Sequence, residues 1–282
     1  MKGCAKMFLC YIDGKFVKPE DAKLPISDLI IQRGVGVFEA LASHNLKPLM
    51  LTPHMTRFVN SAKSSGIANI PDVEFMKNIV REGIKKIGHD VRVRTFLTGG
   101  DNFDSEKNCF TEPRFFAIFD EANFLTPEDF ERGVILEPVP LGRDDPSVKS
   151  VDYRMTFKLP AGASDVLYCP NGEITEAGHS NFYLVLKDET IVTAPLSRVL
   201  KGTTRDGALE LAKSAGIKIE ERCPLWSELA SEKAAEAFIT GSIKMVVPVV
   251  KVGGITLGDG RPGKITRKIS DLYAENLDRW LE

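Results

Sequence analysis

The chain is short of several things that would mark particular functions. It has one glutamine, Gln32, in 282 residues. Scarce glutamine beside abundant lysine and glutamate leans toward a heat-adapted protein. The five cysteines, Cys4, Cys10, Cys109, Cys169 and Cys223, are odd in number and scattered, with no C-x-x-C. That pattern fits a reducing compartment and argues against a zinc site or a disulfide framework. The four histidines, His44, His54, His89 and His179, share no ligand spacing, so no metal is expected. No apolar run approaches the roughly 18 residues of a membrane span. The opening MKGCAKMFLCYIDG has neither a long apolar core nor a small-residue cleavage site, so it is not read as a signal peptide, and a cytoplasmic protein is expected. The net charge is −2, which gives no reason to expect nucleic acid or an anionic membrane as partner.

What is present is ordinary globular material: 43% hydrophobic and 27% charged residues, enough for one large or two ordinary domains. No internal repeat or low-complexity linker appears. The segment Glu121–Asp129 has weak apolar periodicity and contains Pro127, so a single boundary is drawn there, giving domains 1–122 and 123–282. In the first, Phe8–Ile12, Asp13-Gly14 and Lys15–Val17 read as a hairpin. GVGVFEAL reads as a strand, with Gly34 and Gly36 leaving room for close backbone approach. Thr52 and Pro53 read as the cap and first residue of a helix to Ser65. A second helix is expected over Asp72–Ile87, and strands over Val91–Thr98 and Arg114–Phe119. Arg92 and Arg94 fall on one strand face, as either a solvated face or an anion receptor. The second half is dominated by strands and turns, which suggests an α+β first domain and a barrel-like or layered second one.

The stretch Gly172–Asp206 draws most attention. Asn181–Leu186 and Thr190–Thr193 flank Lys187-Asp188-Glu189 as a hairpin. Glu176 precedes it. Lys201-Gly202-Thr203-Thr204-Arg205-Asp206 follows and opens a helix to Ser214, with Thr203 expected as N-cap and Asp206 completing a capping box. Backbone N–H groups at such a mouth, with the Thr203 and Thr204 hydroxyls, make an anion site. An acid and an anion cradle thus lie about 27 residues apart, joined by a sheet. Pyridoxal phosphate asks a protein for a lysine, an acidic partner for its pyridine nitrogen and a phosphate site. Lys149, Glu176, and Thr203, Thr204 and Gly241-Ser242 with Arg57 could supply these.

Taken in order, ISD…RGVGVFEAL, HMTRFVNSAK, VKSVDY, GEITEAGHSNF, KGTTRD and ITGSIKMVVPV resemble the class IV (fold type IV) pyridoxal-phosphate enzymes over about 220 residues. That family includes branched-chain and D-amino-acid aminotransferases and aminodeoxychorismate lyase. The resemblance implies a two-domain α+β fold, with a small N-terminal domain and a larger barrel-like C-terminal one. It implies pyridoxal 5'-phosphate as cofactor, an amino acid and a 2-keto acid as substrates, and a homodimer. It makes Lys149 the lysine that joins the cofactor and Glu176 the pyridine-nitrogen partner. Arg57 becomes the phosphate arginine of an H-x-x-R motif, with Thr203, Thr204, Gly241 and Ser242 completing the phosphate cup. Tyr153 lies near the cofactor's phenolic oxygen, and Arg94 is matched to a substrate-carboxylate arginine. Lys158 is a rival lysine outside the motif, and Arg94 fits a structural ion pair equally well. Val35 stands where the family often has aspartate, and GGDNFDSEK lacks the Arg/His pair of the best-known D-amino-acid enzymes, so substrate handedness stays open. The competing readings are the lyase and a cofactor-free binding protein of the same fold.

Overall fold

The computed structural model describes residues 5–157 and 159–282. Lys158 and Cys4 lie outside the described residues. The chain forms two compact units. One holds the chain up to Asn123 together with Val148–Asp152 and Arg279–Glu282; the other holds Phe124–Ser147 and Tyr153–Asp278. The sequence analysis drew one cut, whereas the chain returns to the first unit twice.

The first unit contains β1 (Met7–Ile12), β2 (Lys15–Val17), α1 (Leu29–Arg33), β3 (Gly36–His44), β4 (Lys47–Pro48), α2 (Leu51–Ser64), α3 (Val73–Ile87), β5 (Arg92–Thr98), the ribbon β6 (Phe103–Asp104) and β7 (Cys109–Phe110), and β8 (Phe115–Asp120). Its main sheet is antiparallel, in the order β2-β1-β8-β5-β3-β4. One face carries Val37 and Leu41 of β3, Val93 and Leu97 of β5, and Ala117 and Phe119 of β8. These bury against Met55, Phe58 and Ala62 of α2 and Met76, Val80 and Ile84 of α3. Period two sends the alternate residues to the other face. There Phe38, Phe96 and Phe116 pair in register across three strands, with ring centroids 5.7 and 4.7 Å apart.

Local chemistry explains most boundaries. Asp72 caps α3 by accepting from the Phe75 N–H at 3.0 Å, and Gly88 ends it with φ of 78°. The helix α1 was not anticipated. Asp28 starts it, accepting from the Ile30 N–H at 2.9 Å, and Gly34 stops it one turn later with φ of 69°. The expected start of α2 needs correcting. Met50, in the left-handed region, is the flanking residue, and Pro53 is third in the helix. Thr52 does not cap; its N–H donates at 2.8 Å to the carboxylate of Glu282, which satisfies the helix end from the far end of the chain.

The second unit contains α4 (Pro127–Arg132), β9 (Val134–Val139), β10 (Asp165–Tyr168), β11 (Asn181–Leu186), β12 (Ile191–Thr193), α5 (Thr203–Ser214), β13 (Ile219–Glu221), α6 (Trp226–Leu229), β14 (Ala234–Gly241), β15 (Met245–Val252), β16 (Ile255–Thr256) and α7 (Lys264–Glu275). A short 3-10 turn covers Arg154–Phe157. Its half-barrel sheet runs β10-β9-β15-β14-β11-β12-β13, with β16 added to β15. β11 and β12 form the expected hairpin, with Tyr183 opposite Thr193. Leu167, Phe182, Leu184, Val192, Ile239 and Val249 fill a separate apolar core. No helix among the described residues is long and apolar enough to cross a membrane.

Candidate active site

Each unit gathers one cluster of the residues singled out in the sequence. In the first unit, residues 149–151 run along the Gly36–Phe38 end of β3. The Phe38 N–H donates to the Lys149 carbonyl at 3.0 Å, Ser150 bridges Val37, and the Val151 N–H donates to Gly36 at 3.2 Å. The Lys149 N–H donates to the Ser61 hydroxyl of α2 at 3.1 Å. Backbone contacts to a strand and a helix therefore fix the Cα of Lys149. Its side chain is buried, and Nζ lies 4.6 Å from the centroid of the Phe38 ring. Lysine is almost never buried without a specific reason.

One turn before Ser61 on α2, Arg57 reaches into the sheet. Its Nε and Nη2 each donate at 2.7 Å to one oxygen of Glu39, a fork-to-fork pair. His54 Nδ1 lies 2.7 Å from the Glu39 Oε2. Glu39 points to the apolar face of β3, between Val37 and Leu41, and is fully buried. Burial works to raise its pKa, but the Arg57 guanidinium and His54 outweigh it and hold the carboxyl well below the usual range. Burial pulls the His54 imidazole below its ordinary value despite the opposing pull of Glu39. His54 is thus a neutral ring at neutral pH.

Arg94 is drawn into a different pair. Arg92 Nε and Nη2 donate to Asp120 at 2.7 and 2.8 Å, and Arg94 Nη2 donates to the same carboxylate at 2.6 Å. Two in-phase arginines on β5 face one buried acid at the end of β8, so of the two sequence alternatives the ion pair is the one formed.

In the second unit, Glu176 is buried at the turn before β11. Its carbonyl accepts from the Tyr168 N–H at 2.9 Å, and its Oε2 accepts from the Leu200 N–H at 3.3 Å. Arg143 Nε lies 2.9 Å from Oε1, an ion pair by distance without the alignment of a good hydrogen bond. Arg143 Nη2 also donates to the Gly178 carbonyl at 2.5 Å. Its guanidinium lies 5.3 and 5.9 Å from the Tyr153 and Tyr168 ring centroids. Burial opposes the Arg143 charge, yet Glu176 and the tyrosines raise its pKa further. Tyr153 also packs on His179, rings 4.9 Å apart, and His179 lies 3.2 Å from buried Asp165.

The mouth of α5 lies in this same unit, and it corrects the expected capping box. Gly202, which has no side chain to cap with, is the flanking residue, and Thr203 is the first helical residue. The Thr203 hydroxyl lies instead 3.4 Å from that of Ser242, just past the end of β14 at Gly241. Thr204 is buried. Asn181 Nδ2 donates to the Leu200 carbonyl at 2.9 Å and so holds the approach to the helix. A helix mouth without a side-chain cap, lined by two hydroxyls, suits a phosphate. A buried carboxylate whose neighbours are donors suits a protonated ring nitrogen, and a buried primary amine suits an aldehyde. Each unit by itself thus holds groups of the kinds that pyridoxal phosphate requires.

The sequence model of the amino-transferase class IV family matches residues 36–252. The chain belongs to the class IV aminotransferases. It is 30% identical to a protein of Methanocaldococcus jannaschii described as "Putative branched-chain-amino-acid aminotransferase", over 96% of both chains. It is 27% identical to the chloroplastic D-amino-acid transaminase of Arabidopsis thaliana, over 96% of this chain and 76% of that one. The fold matches the branched-chain amino acid aminotransferase of Thermoproteus uzoniensis solved with norvaline, with a TM-score of 0.85 over 98% of this chain and 99% of that one at 23% identity. It also matches a branched-chain amino acid aminotransferase solved with pyridoxamine 5'-phosphate, with a TM-score of 0.88 over 99% of both chains at 22% identity. This class IV aminotransferase is therefore a pyridoxal-phosphate enzyme that moves an amino group between an amino acid and a 2-keto acid, and the lyase and cofactor-free readings are not favoured.

Sequence reasoning passed over Glu39 and Arg143. A lone carboxylate on the apolar face of GVGVFEAL was a visible signal, since an unpaired charge there is too costly to keep. Arg143 lies in a polar loop with no periodicity and gave none.

Proposed function

We propose that this aminotransferase acts on branched-chain L-amino acids, with Lys149 as its catalytic amine. The observation that carries the reading is the setting of Lys149: a buried primary amine held over Phe38, the first ring of the Phe38–Phe96–Phe116 row. An aromatic wall beside the reacting amine favours an apolar side chain. The names of the relatives lean the same way.

When bound, pyridoxal phosphate supplies the electron sink that makes the amino acid's α-proton removable. Lys149 would be the residue that holds the cofactor's aldehyde, and its amine would act as general base and acid, taking the α-proton and returning it. Glu176 would keep the pyridine nitrogen protonated. Arg57, Thr203, Thr204, Gly241 and Ser242 would hold the phosphate. Tyr153 would donate toward the phenolic oxygen. Assigning both clusters to one cofactor rests on family membership. Arg94 stays with Asp120 and orients that strand face. The same reading places the enzyme in the cytoplasm as a homodimer, on the sequence expectations above.

The test is keto-acid-dependent turnover with L- and D-amino acids offered separately. L-leucine, L-isoleucine and L-valine should be the best donors, and Lys149→Ala should lower turnover at least about a thousandfold. Preference for D-alanine, or full activity in Lys149→Ala, would overturn the substrate or the lysine assignment respectively.

A further inference from the structure

Arg57 is assigned a phosphate, yet one edge of its guanidinium is held by Glu39. Its Nε and Nη2 donate to the two carboxylate oxygens, both at 2.7 Å. His54, one turn earlier on α2, adds a third short contact to the same carboxylate. Glu39 lies among Val37, Leu41, Val93 and Leu97, with buried Thr95 opposite it in register. Packing alone would be served there by another aliphatic residue, without the cost of burying an ion pair.

We propose that Glu39 is a positioning residue for the cofactor: it holds the Arg57 guanidinium in one orientation, so that it is set in advance for the phosphate monoester. This rests on the reading of Arg57 as the phosphate arginine. Consecutive residues of β3 then set both cofactor-binding groups of this unit. The Phe38 backbone and ring hold Lys149, and the Glu39 carboxylate, on the opposite face of the strand, holds Arg57. An arginine left to choose among its rotamers loses that freedom on binding, and a fork already seated has lost it beforehand.

Positioning and simple charge predict opposite signs. Glu39→Gln removes a negative charge next to Arg57, so Coulomb attraction alone would tighten a phosphate. A positioning role predicts weaker binding. The phosphate-specific part is isolated by titrating the apoprotein with pyridoxal 5'-phosphate and with pyridoxal, which lacks the phosphate, and following the visible absorbance. The expected result is that Glu39→Gln lowers the preference for pyridoxal phosphate over pyridoxal by about tenfold, ~1.4 kcal/mol. Pyridoxal affinity should change by less than about twofold, well short of that tenfold step. In an Arg57→Ala background the same substitution should leave the preference unchanged, because the effect acts through Arg57. If Glu39→Gln does not fold, Glu39→Asp, which keeps the charge but shortens the reach, is read by the same ratio. An unchanged or increased preference, or an equal loss for both ligands, overturns the proposal. Failure of the wild-type protein to take up pyridoxal phosphate overturns the cofactor assignment itself and is seen before any variant is made.

Discussion

Gly202→Ala should damage both the stability of the second unit and its hold on the cofactor. Gly202 has φ of −72° and ψ of 131°, which any residue can adopt, so the cost is purely steric. A Cβ there would collide with the Asn181 Oδ1, and Arg205 Cβ and Asn181 Cγ are each only 3.2 Å away. Asn181 cannot easily retreat. It is buried, it belongs to β11, and its Nδ2 donates to the Leu200 carbonyl. Overpacking of this kind costs about 1–3 kcal/mol. Losing the Asn181 bond adds about 1 kcal/mol. The stiffer unfolded chain returns about 0.4–1 kcal/mol. The net is a loss of about 2 kcal/mol, or a fall of about 4–8 °C in Tm for a protein of this size. The Leu200 N–H contacts the Glu176 carboxylate, so the displacement reaches the acid as well as the helix mouth. Pyridoxal phosphate affinity of the apoprotein should fall by about tenfold, the equivalent of one such contact. Gly254→Ala is the control: no atom lies within 4 Å of its added Cβ, and its melt should stay within about 1 °C of wild type. If Gly202→Ala melts and binds like Gly254→Ala, the account of this helix mouth is wrong.

Two further outcomes follow from groups in the first unit. His54 and Glu39 both have folded pKa values below their ordinary 6.5 and 4.5, so the unfolded chain binds more protons. Stability should be full near neutral pH and fall in two stages, first as pH drops below about 6.5 and more steeply below about 4.5, at up to about 1.4 kcal/mol per pH unit for each group. His54→Gln should shrink the first stage in urea melts taken from pH 8 to 4, leaving the part due to His44, whose pKa burial also lowers, and a first stage of unchanged size would refute the assignment. Gly83→Ala should destabilise despite better helix propensity. The new methyl enters the ring of buried Phe119, and overpacking of about 1–3 kcal/mol exceeds a propensity gain of about 1 kcal/mol. A more stable variant in urea titration would show that the ring can move aside.

Elements set by nearby residues were legible in the sequence; those set by distant ones were not. Asp72 and Gly88 bracket α3 within its own neighbourhood, and alternation around Lys187-Asp188-Glu189 marks the β11–β12 hairpin. Thr52-Pro53 looked like a helix start, but the acid that completes that start is Glu282, 230 positions away. Thr203 looked like a cap, yet its hydroxyl turns to Ser242, which no local pattern could announce. The site followed the same rule. Motif order singled out Lys149, Arg57 and Glu176, but their immediate partners Ser61, Glu39 and Arg143 come from other elements. Arg92 and Arg94 were correctly placed in phase, and only the structure showed Asp120 opposite them.

The carboxylate at Glu282 also bears on the order in which the protein assembles. Met50 donates to Trp280, Leu49 bridges Leu281, and Thr52 donates to Glu282, so α2 begins on residues that lie some 230 positions further along the chain. The first unit is thus completed only after most of the second has been synthesised, because its lysine segment and its helix support both come later in the chain. Such long-range closure slows folding. A released chain truncated after Asp278 should hold a protease-resistant second unit while α2 remains open to cleavage.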